Sequence, residues 1–293
     1  MTWEEREMVV RRHSRPRGWA WALGVAVVKP ALLATTRPHW VGGEHIPASG
    51  GCLVVLNHIS HLDPLTAAHL VHDHGRVPRY LAKSGLFENR FWRFFFTACG
   101  QIPVERLGTN AVGAYDAAVA AVRAGECVVV YPEGTITRDP DLWPMTGRSG
   151  AARIALATGC PVVPVGQWGA QALLAPYATR PDLYPRKPIR MHVGESVDLD
   201  DLLGCAPTRA VVEAATERIM DTITALVAQV RDETPPVERF DLERSGRHRT
   251  GDPDRPAGEH RLDPATHPQQ PDPGRPGSPR SVPSRTPSKE TSE

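Results

Sequence analysis

His58 and Asp63 stand five positions apart in a polar run that directly follows the apolar stretch Gly51–Leu56. A histidine can take a proton from an alcohol when a carboxylate holds its second ring nitrogen, because the carboxylate fixes the tautomer and stabilises the imidazolium that forms. Asn57 precedes the histidine and could orient the loop. Pro64 favours a helix start directly after the run. A second interpretation therefore stays open, in which Asp63 only caps that helix beside an unrelated histidine.

Histidines are dense in the same region, which raises the alternative of a metal site. His58, His61 and Asp63 read H-x-x-H-x-D, whereas the loops of binuclear metal hydrolases usually read H-x-H-x-D-H. Three further histidines are expected at the exposed end of the following helix, namely His69, His72 and His74. We predict no metal site, and a metal-dependent hydrolase remains an alternative that metal analysis of the purified protein would identify.

Two later segments place charged and hydroxyl groups directly after predicted strands. Arginine is suited to bidentate phosphate binding, and a glycine in a turn lets backbone N–H groups approach an oxyanion. A surface salt bridge would explain Glu105 beside Arg106 equally well. The candidates for contacting an anionic substrate in these segments are Arg106, Glu133, Gly134, Thr135 and Arg138.

Short apolar runs alternate with helical patterns through the middle of the chain, which predicts an α/β domain with helices on both faces of a sheet. Strands are predicted at Gly51–Leu56, Tyr80–Ala82, Gln101–Val104, Glu126–Tyr131, Cys160–Val165 and Ile189–Val193. Helices are predicted at Pro64–Asp73, Leu86–Ala98, Ala111–Arg123, Gly150–Thr158 and Pro207–Val230, the last with an apolar stripe at spacings of three and four. Chemistry in such sheets tends to lie where strands run into loops, and the polar motifs lie there.

The N-terminal segment, residues 1–39, combines basic and apolar residues. The apolar run Gly18–Val28 follows Arg11, Arg12, Arg15 and Arg17, and Lys29–Pro30 interrupts it. A membrane-spanning helix needs about 20 predominantly apolar residues, so this run is too short. Basic residues beside Trp19 and Trp21 favour a segment that lies in the headgroup layer of a membrane. An ordinary helix packed on the core is the alternative.

Composition sets apart the C-terminal end and narrows the function classes. From residue 233 to 293, Pro, Arg, Asp, Ser and Gly dominate, so this segment cannot bury enough apolar surface to offset chain entropy and is predicted to be disordered.

A net charge of +1 over 293 residues argues against nucleic acid as a partner. Five scattered cysteines without a CxxC pair indicate reduced, mostly buried thiols and a protein of the cytoplasmic side.

Taken in order, the motifs are similar to four sequence blocks of the lysophospholipid acyltransferase family, whose best known members are the 1-acylglycerol-3-phosphate acyltransferases. The blocks N-H-x-S-x-x-D, P-V-x-R, P-E-G-T and V-P-V correspond to Asn57–Asp63, Pro103–Arg106, Pro132–Thr135 and Val163–Val165. The resemblance covers roughly residues 40 to 230. It implies a single domain, residues 40–232, built on a mixed, largely parallel sheet flanked by helices.

The resemblance also implies the chemistry. His58, steadied by Asp63, would deprotonate the hydroxyl of a lysophospholipid, which attacks the carbonyl of an acyl thioester directly. The expected acceptor is 1-acylglycerol 3-phosphate, giving phosphatidate; glycerol 3-phosphate and other lysolipids are the alternatives. No cofactor is expected, since the donor, acyl-coenzyme A or acyl carrier protein, is a substrate. The expected location is the cytoplasmic face of the cell membrane, as a peripheral or monotopic protein.

Substrate contacts follow from the same resemblance. Arg106 would bind the acceptor phosphate, Lys83 is a further phosphate candidate, and the turn at Glu133, Gly134 and Thr135 would shape the pocket.

One departure from the family's sequence pattern leaves the headgroup of the acceptor undetermined. Many relatives read E-G-T-R-S, but here Ile136 replaces that arginine and the next arginine is Arg138, before an insertion-like segment, Asp139–Ser149. A catalytically silent, membrane-binding relative is a further alternative, which an assay of thiol release would distinguish.

Overall fold

The structure is a computed structural model of the chain and describes residues 10–11, 18–83, 88–90, 93–94, 97, 101–104 and 111–247. The described strands are β1 (Thr36–Val41), β2 (Cys52–Leu56), β3 (Pro78–Lys83), β4 (Ile102–Val104), β5 (Cys127–Val130), β6 (Val162–Trp168) and β7 (Lys187–Val193). The described α-helices are α1 (Trp19–Thr35), α2 (Asp63–Asp73), α3 (Ala111–Arg123), α4 (Gly150–Thr158), α5 (Ala170–Leu173) and α6 (Arg209–Arg231).

The described strands form one sheet in the order β1-β7-β6-β2-β5-β3-β4. Every neighbouring pair in that order is parallel except β6 and β7, which are antiparallel. This arrangement confirms the predicted fold class, a mixed and largely parallel sheet flanked by helices. β2 lies at the centre, so the loop that follows it opens at the carboxyl end of the sheet, where ligands of such folds bind.

Both faces of the sheet are covered, as the continuous apolar runs of the central strands require. Alternation along β2 sends Leu53 and Val55 into a core shared with α3, α4 and α6. Val54 and Leu56 point to the opposite face and pack with α2. All residues of β2 are buried. The loop after β2 therefore begins from a rigid base.

β1 was not predicted from the sequence. Its residues include Arg37 and Pro38, which give no apolar alternation and usually argue against a central strand. The strand pairs in parallel with β7 at one end of the order, where a proline is tolerated. The sheet therefore begins at Thr36, before the expected domain boundary at residue 40.

The predicted helices agree closely with the described ones. α3 and α4 have the predicted bounds, and α6 ends within one residue of the prediction. Its expected apolar stripe is buried, comprising Val212, Ala215, Ile219, Ile223, Leu226 and Val230. The helix predicted over Leu86–Ala98 falls largely outside the described residues.

α1 differs from the prediction of an interrupted run, because the helix continues through Pro30 to Thr35. Contacts on both sides of the proline hold it: Lys29 Nζ lies 2.5 Å from Asp73 Oδ1, and Thr36 Oγ1 donates to the Leu32 carbonyl at 2.7 Å. These contacts offset the hydrogen bond that a proline removes. Within the described part of the chain, no helix has the length and apolar character to cross a membrane.

The chain after α6 contacts the domain up to residue 247. The Phe240 carbonyl accepts a hydrogen bond from Thr146 N at 3.0 Å, and Leu242 is buried. Arg239 also pairs with Glu217 and Asp221 on α6. Packed chain thus extends beyond residue 232, because a few apolar and paired charged residues can dock without a periodic pattern. The rest of the segment predicted to be disordered, residues 248–293, lies outside the described residues.

Candidate active site

The structure brings His58 and Asp63 into direct contact. His58 Nδ1 lies 2.8 Å from Asp63 Oδ2 on the loop between β2 and α2. Because a carboxylate only accepts, Nδ1 carries the proton of a neutral imidazole and Nε2 is left as a proton acceptor. The His58 side chain is 16% exposed and Asp63 is fully buried. The imidazole ring that carries Nε2 is therefore partly accessible, and the buried Asp63 carboxylate holds it at Nδ1.

Asp63 organises the whole loop as well as the ring. The same oxygen, Oδ2, accepts the backbone N–H groups of Ile59 at 2.6 Å and Ser60 at 2.8 Å. Asp63 is the first residue of α2, and the N-cap is Leu62, which makes no side-chain cap bond. The interpretation of Asp63 as only a helix cap is therefore wrong, because its described bonds run to the histidine and to the loop before the helix. The carboxylate closes the turn back onto His58.

Glu133 lies beneath the loop and is 1% exposed. Its Oε1 accepts the backbone N–H of His58 at 2.8 Å, and its Oε2 accepts the backbone N–H of Met145 at 3.0 Å. Burial raises the pKa of Glu133 to about 8, and the two N–H donors act against that rise. The sequence placed Glu133 in a substrate pocket. Its described contacts are instead with backbone N–H groups, one in the catalytic loop at His58 and one at Met145.

Two further contacts fix His58. Thr137 N donates to the His58 carbonyl at 2.8 Å, so both backbone polar groups of the histidine are engaged by the segment after β5. The ring of Tyr131 stacks on the imidazole at 4.4 Å between centroids. Tyr131, predicted as the last residue of a strand, was not among the candidate site residues, although its position directly before P-E-G-T is a usable signal. The stack restricts the plane in which the imidazole can lie.

Asn57 joins two strand ends. Its Oδ1 accepts from Gln167 N at 2.9 Å, its Nδ2 donates to the Gln167 carbonyl at 3.1 Å, and its carbonyl accepts from Gln167 Nε2 at 2.6 Å. Both residues are 1% exposed. Asn57 was placed among the substrate-binding residues, but its described hydrogen bonds instead connect the end of β2 to β6. Gln167 was not identified from the sequence.

The P-E-G-T turn has the geometry that a glycine allows. Gly134 has a φ of +72°, and its N–H donates to the Tyr131 carbonyl at 3.0 Å. That N–H is therefore engaged within the turn and does not face an oxyanion. Thr135 follows, half-buried, beside the Tyr177 hydroxyl.

Arg138 lies inside the domain and is 2% exposed. Its guanidinium carbon is 3.9 Å from the centre of the Tyr177 ring, and the Tyr177 hydroxyl donates to the Ile136 carbonyl at 2.8 Å. This cation–π contact braces the loop. The guanidinium that the sequence offered for substrate phosphate is thus packed on an aromatic ring.

Two predicted phosphate ligands are not placed by the described side chains. Arg106 lies outside the described residues. Lys83 is the last residue of β3, and only its backbone is described. β3 lies beside β5 in the sheet, so the end of this strand approaches the same edge as the P-E-G-T turn.

The expectation that His69, His72 and His74 are exposed is wrong, because all three are buried. Trp21 of α1 contacts His72, Trp40 of β1 packs edge-on against His69, and His74 lies against Gly43. His69 Nε2 is 3.2 Å from Asp73 Oδ2, His72 Nδ1 accepts from Trp21 Nε1 at 3.3 Å, and His74 Nδ1 contacts the Leu70 carbonyl at 2.7 Å. Among residues 18–83 and the other described ranges, no group of three or more His, Cys, Asp or Glu is arranged to hold a metal ion.

Known proteins share this domain. Residues 37–168 match the family described as Acyltransferase. The chain is 32% identical over 130 residues to the chloroplastic 1-acyl-sn-glycerol-3-phosphate acyltransferase BAT2 of Brassica napus, over 44% of this chain and 36% of that protein. It is 29% identical over 142 residues to a 1-acyl-sn-glycerol-3-phosphate acyltransferase of Borreliella burgdorferi, over 48% of this chain and 55% of that protein. Each match covers less than two thirds of the relative's length.

The fold has a counterpart among solved structures. The crystal structure of the 1-acyl-sn-glycerophosphate (LPA) acyltransferase PlsC from Thermotoga maritima superposes with a TM-score of 0.52 at 19% identity. The superposition covers 72% of this chain and 82% of that one. At this identity the likeness concerns the fold.

Proposed function

We propose that this chain, whose residues 37–168 match the family described as Acyltransferase, transfers an acyl group from a thioester to the free hydroxyl of a lysophospholipid. The acceptor we propose is 1-acylglycerol 3-phosphate, and the product is phosphatidate. The observation that carries this proposal is the 2.8 Å contact between His58 Nδ1 and Asp63 Oδ2 at the carboxyl end of β2.

The reaction uses His58 first as a base and then as an acid. Nε2 takes the proton of the acceptor hydroxyl while its oxygen attacks the thioester carbonyl carbon. The tetrahedral intermediate collapses by breaking the carbon–sulfur bond, and the imidazolium returns the proton to the leaving thiolate. Asp63 stabilises the imidazolium in between. An ester is formed and a free thiol released, so neither a covalent acyl-enzyme nor a cofactor is required.

Phosphate recognition in this proposal involves the residues that the family resemblance singles out. Arg106 and Lys83 are the proposed basic contacts, and Thr135 beside the catalytic loop is a proposed hydroxyl contact. The donor is acyl-coenzyme A or acyl carrier protein. Glycerol 3-phosphate or another lysolipid is the alternative acceptor.

We propose further that α1 lies on the cytoplasmic face of the cell membrane. The exposed positions of α1 carry only apolar residues, with Trp19 62%, Leu23 51% and Val27 64% exposed. Phe94 extends the patch, with its ring centre 5.8 Å from that of Trp19. The charged residue of this helix, Lys29, turns inward to Asp73. A contiguous apolar surface of this kind marks an interaction site, and a lipid acceptor resides in the membrane.

An acceptor panel tests the proposal. Purified protein is mixed with an acyl thioester and with lysophosphatidate, glycerol 3-phosphate, a lysophosphatidylcholine or a monoacylglycerol, and free thiol is recorded. We expect thiol release that depends on the acceptor and is fastest with lysophosphatidate. Both acyl-coenzyme A and acyl carrier protein are used as donors, so that the donor preference is read from the same experiment.

Two controls make the panel decisive. Product must be identified as phosphatidate by mass spectrometry, because thioester hydrolysis also releases thiol. A metal chelator added before the assay should leave the rate of thiol release unchanged. A rate that falls with the chelator would favour the metal-dependent hydrolase. Thiol release that is the same with and without any acceptor would refute the transferase.

A further inference from the structure

We propose that Arg148 binds the phosphate monoester of the acceptor and so sets the headgroup preference of this chain. The inference rests on the proposed function and adds a residue to its site. The chemistry is that of a guanidinium, which can donate two parallel N–H bonds to phosphate oxygens.

Arg148 lies directly on the P-E-G-T turn. Its backbone N–H donates to the Pro132 carbonyl at 2.8 Å. A Cβ added to Gly134 would come within 2.9 Å of Arg148 Cδ, so the arginine stem crosses the turn in the space that a glycine leaves. The residue itself is exposed at the surface. The structure therefore places a solvent-accessible arginine over the turn that underlies the catalytic loop.

Glu133 couples this arginine to His58. One carboxylate oxygen accepts the His58 N–H and the other accepts the Met145 N–H, three residues before Arg148. The segment is anchored again at Trp143, whose ring lies 4.0 Å from the Arg231 guanidinium carbon. The backbone on which Arg148 stands is thus fixed relative to the catalytic histidine.

The other candidates after the turn do not present a cation at the surface. Position 136, directly after the P-E-G-T turn, is a buried isoleucine, 3% exposed. Arg138 is buried against Tyr177. Arg148, in the segment Asp139–Ser149, is instead exposed and lies over the turn.

Steady-state kinetics of Arg148→Gln test the assignment. We expect the KM for lysophosphatidate to rise about 10- to 100-fold, the range for losing a charge-assisted contact, while the KM for the thioester donor stays unchanged. The rate with a monoacylglycerol acceptor, which has no phosphate, should not fall. Arg148→Lys should recover part of the loss, because it keeps the charge without the fork.

The matched control is Arg153→Gln, which removes another exposed arginine close in sequence, on α4. Its KM for lysophosphatidate should equal that of the parent protein. An unchanged acceptor KM in Arg148→Gln would overturn the proposal. A rise confined to the donor KM would also overturn it, since the guanidinium would then bind the donor's phosphates.

A binding arm separates failure of this inference from failure of the proposed function. Equilibrium binding of monomeric lysophosphatidate is measured to His58→Ala protein with and without Arg148→Gln, so that no turnover is needed. Binding of lysophosphatidate that weakens about 10-fold or more in the Arg148→Gln protein supports the Arg148 site. This holds even if the parent protein transfers no acyl group, a result that would refute only the proposed transferase activity. Transfer with full phosphate binding in Arg148→Gln would refute the Arg148 site alone.

Discussion

The carboxylate of Glu133 holds the backbone N–H of His58 at 2.8 Å from a position that is 1% exposed. The histidine is therefore oriented by two acids that act on different atoms. Asp63 contacts the ring, and Glu133 contacts the main chain. A loop held at both points keeps its catalytic nitrogen in place before substrate arrives, which is the kind of preorganisation that site geometry requires.

Replacing Glu133 by glutamine should lower kcat about 10- to 100-fold with little change in the KM for the donor. The amide presents only one acceptor, so either His58 N–H or Met145 N–H faces an NH2 group and loses its bond, at a cost of about 1–3 kcal/mol. Turnover is measured on protein whose folded fraction has been verified by circular dichroism. A variant with parental kcat would show that the loop does not depend on this carboxylate.

Glu133 should also make stability depend on pH. Its pKa is raised to about 8 in the folded protein, above the ordinary value of about 4.3 in the unfolded chain. Between these values the folded state binds more protons, so its stability is greatest below the lower value and falls as the pH rises toward about 8, by up to about tenfold in the unfolding constant per pH unit.

Urea denaturation from pH 5 to 9 measures this effect, with Glu133→Gln as the control for all other titrating groups. The difference between the two proteins isolates Glu133. A difference that stays constant over the range, or one that grows in favour of the parent protein as pH rises, would contradict the prediction.

Substituting His58 by alanine should reduce turnover by at least ~10²-fold, the typical contribution of a general base. Asp63→Asn should also be severely impaired, because Oδ2 serves three donors. The matched control is His61→Ala, which removes an exposed histidine of the same loop. Thiol release and phosphatidate formation are measured for each. Near-parental activity of His58→Ala would refute the proposed mechanism.

Asn57→Ala should destabilise the fold without changing the KM for the acceptor. The substitution leaves the buried N–H and the carbonyl of Gln167 without their described side-chain partners, each at a cost of about 1–3 kcal/mol. The bond from Gln167 Nε2 to the backbone carbonyl of residue 57 does not depend on the side chain. Denaturation midpoints and Michaelis constants are measured together. A raised KM at unchanged stability would instead return Asn57 to the substrate-binding residues.

Val27→Glu should weaken binding of the protein to anionic vesicles. Val27 lies on the exposed apolar face of α1, and a carboxylate there cannot enter the headgroup boundary without desolvation. Val237→Glu is the matched control, since this valine is also exposed but lies after α6. Vesicle co-sedimentation is compared for the two variants. Equal retention would place the membrane contact elsewhere than α1.

The sequence predicted the central strands and the His58–Asp63 contact because local patterns encode both. Apolar runs mark buried strands, and a separation of only five positions keeps the His58 and Asp63 side chains close together. The roles of Glu133 and Asn57 depend on partners 75 and 110 positions away, at His58 and Gln167, so no local spacing reveals them. Burial of His72 and His69 likewise depends on Trp21 of α1 and Trp40 of β1, which are distant in sequence. Short-range periodicity does not report which surface another helix will cover.

α2 carries an acid at each end, and the two acids contact different parts of the molecule. Asp63 at its first residue holds the His58 imidazole, and Asp73 at its last residue holds Lys29 of α1. Ten residue rises of an α-helix span about 15 Å. α2 thus sets the distance between α1 and the catalytic His58. Inserting or deleting one helical turn of α2 would change that distance by about 5 Å.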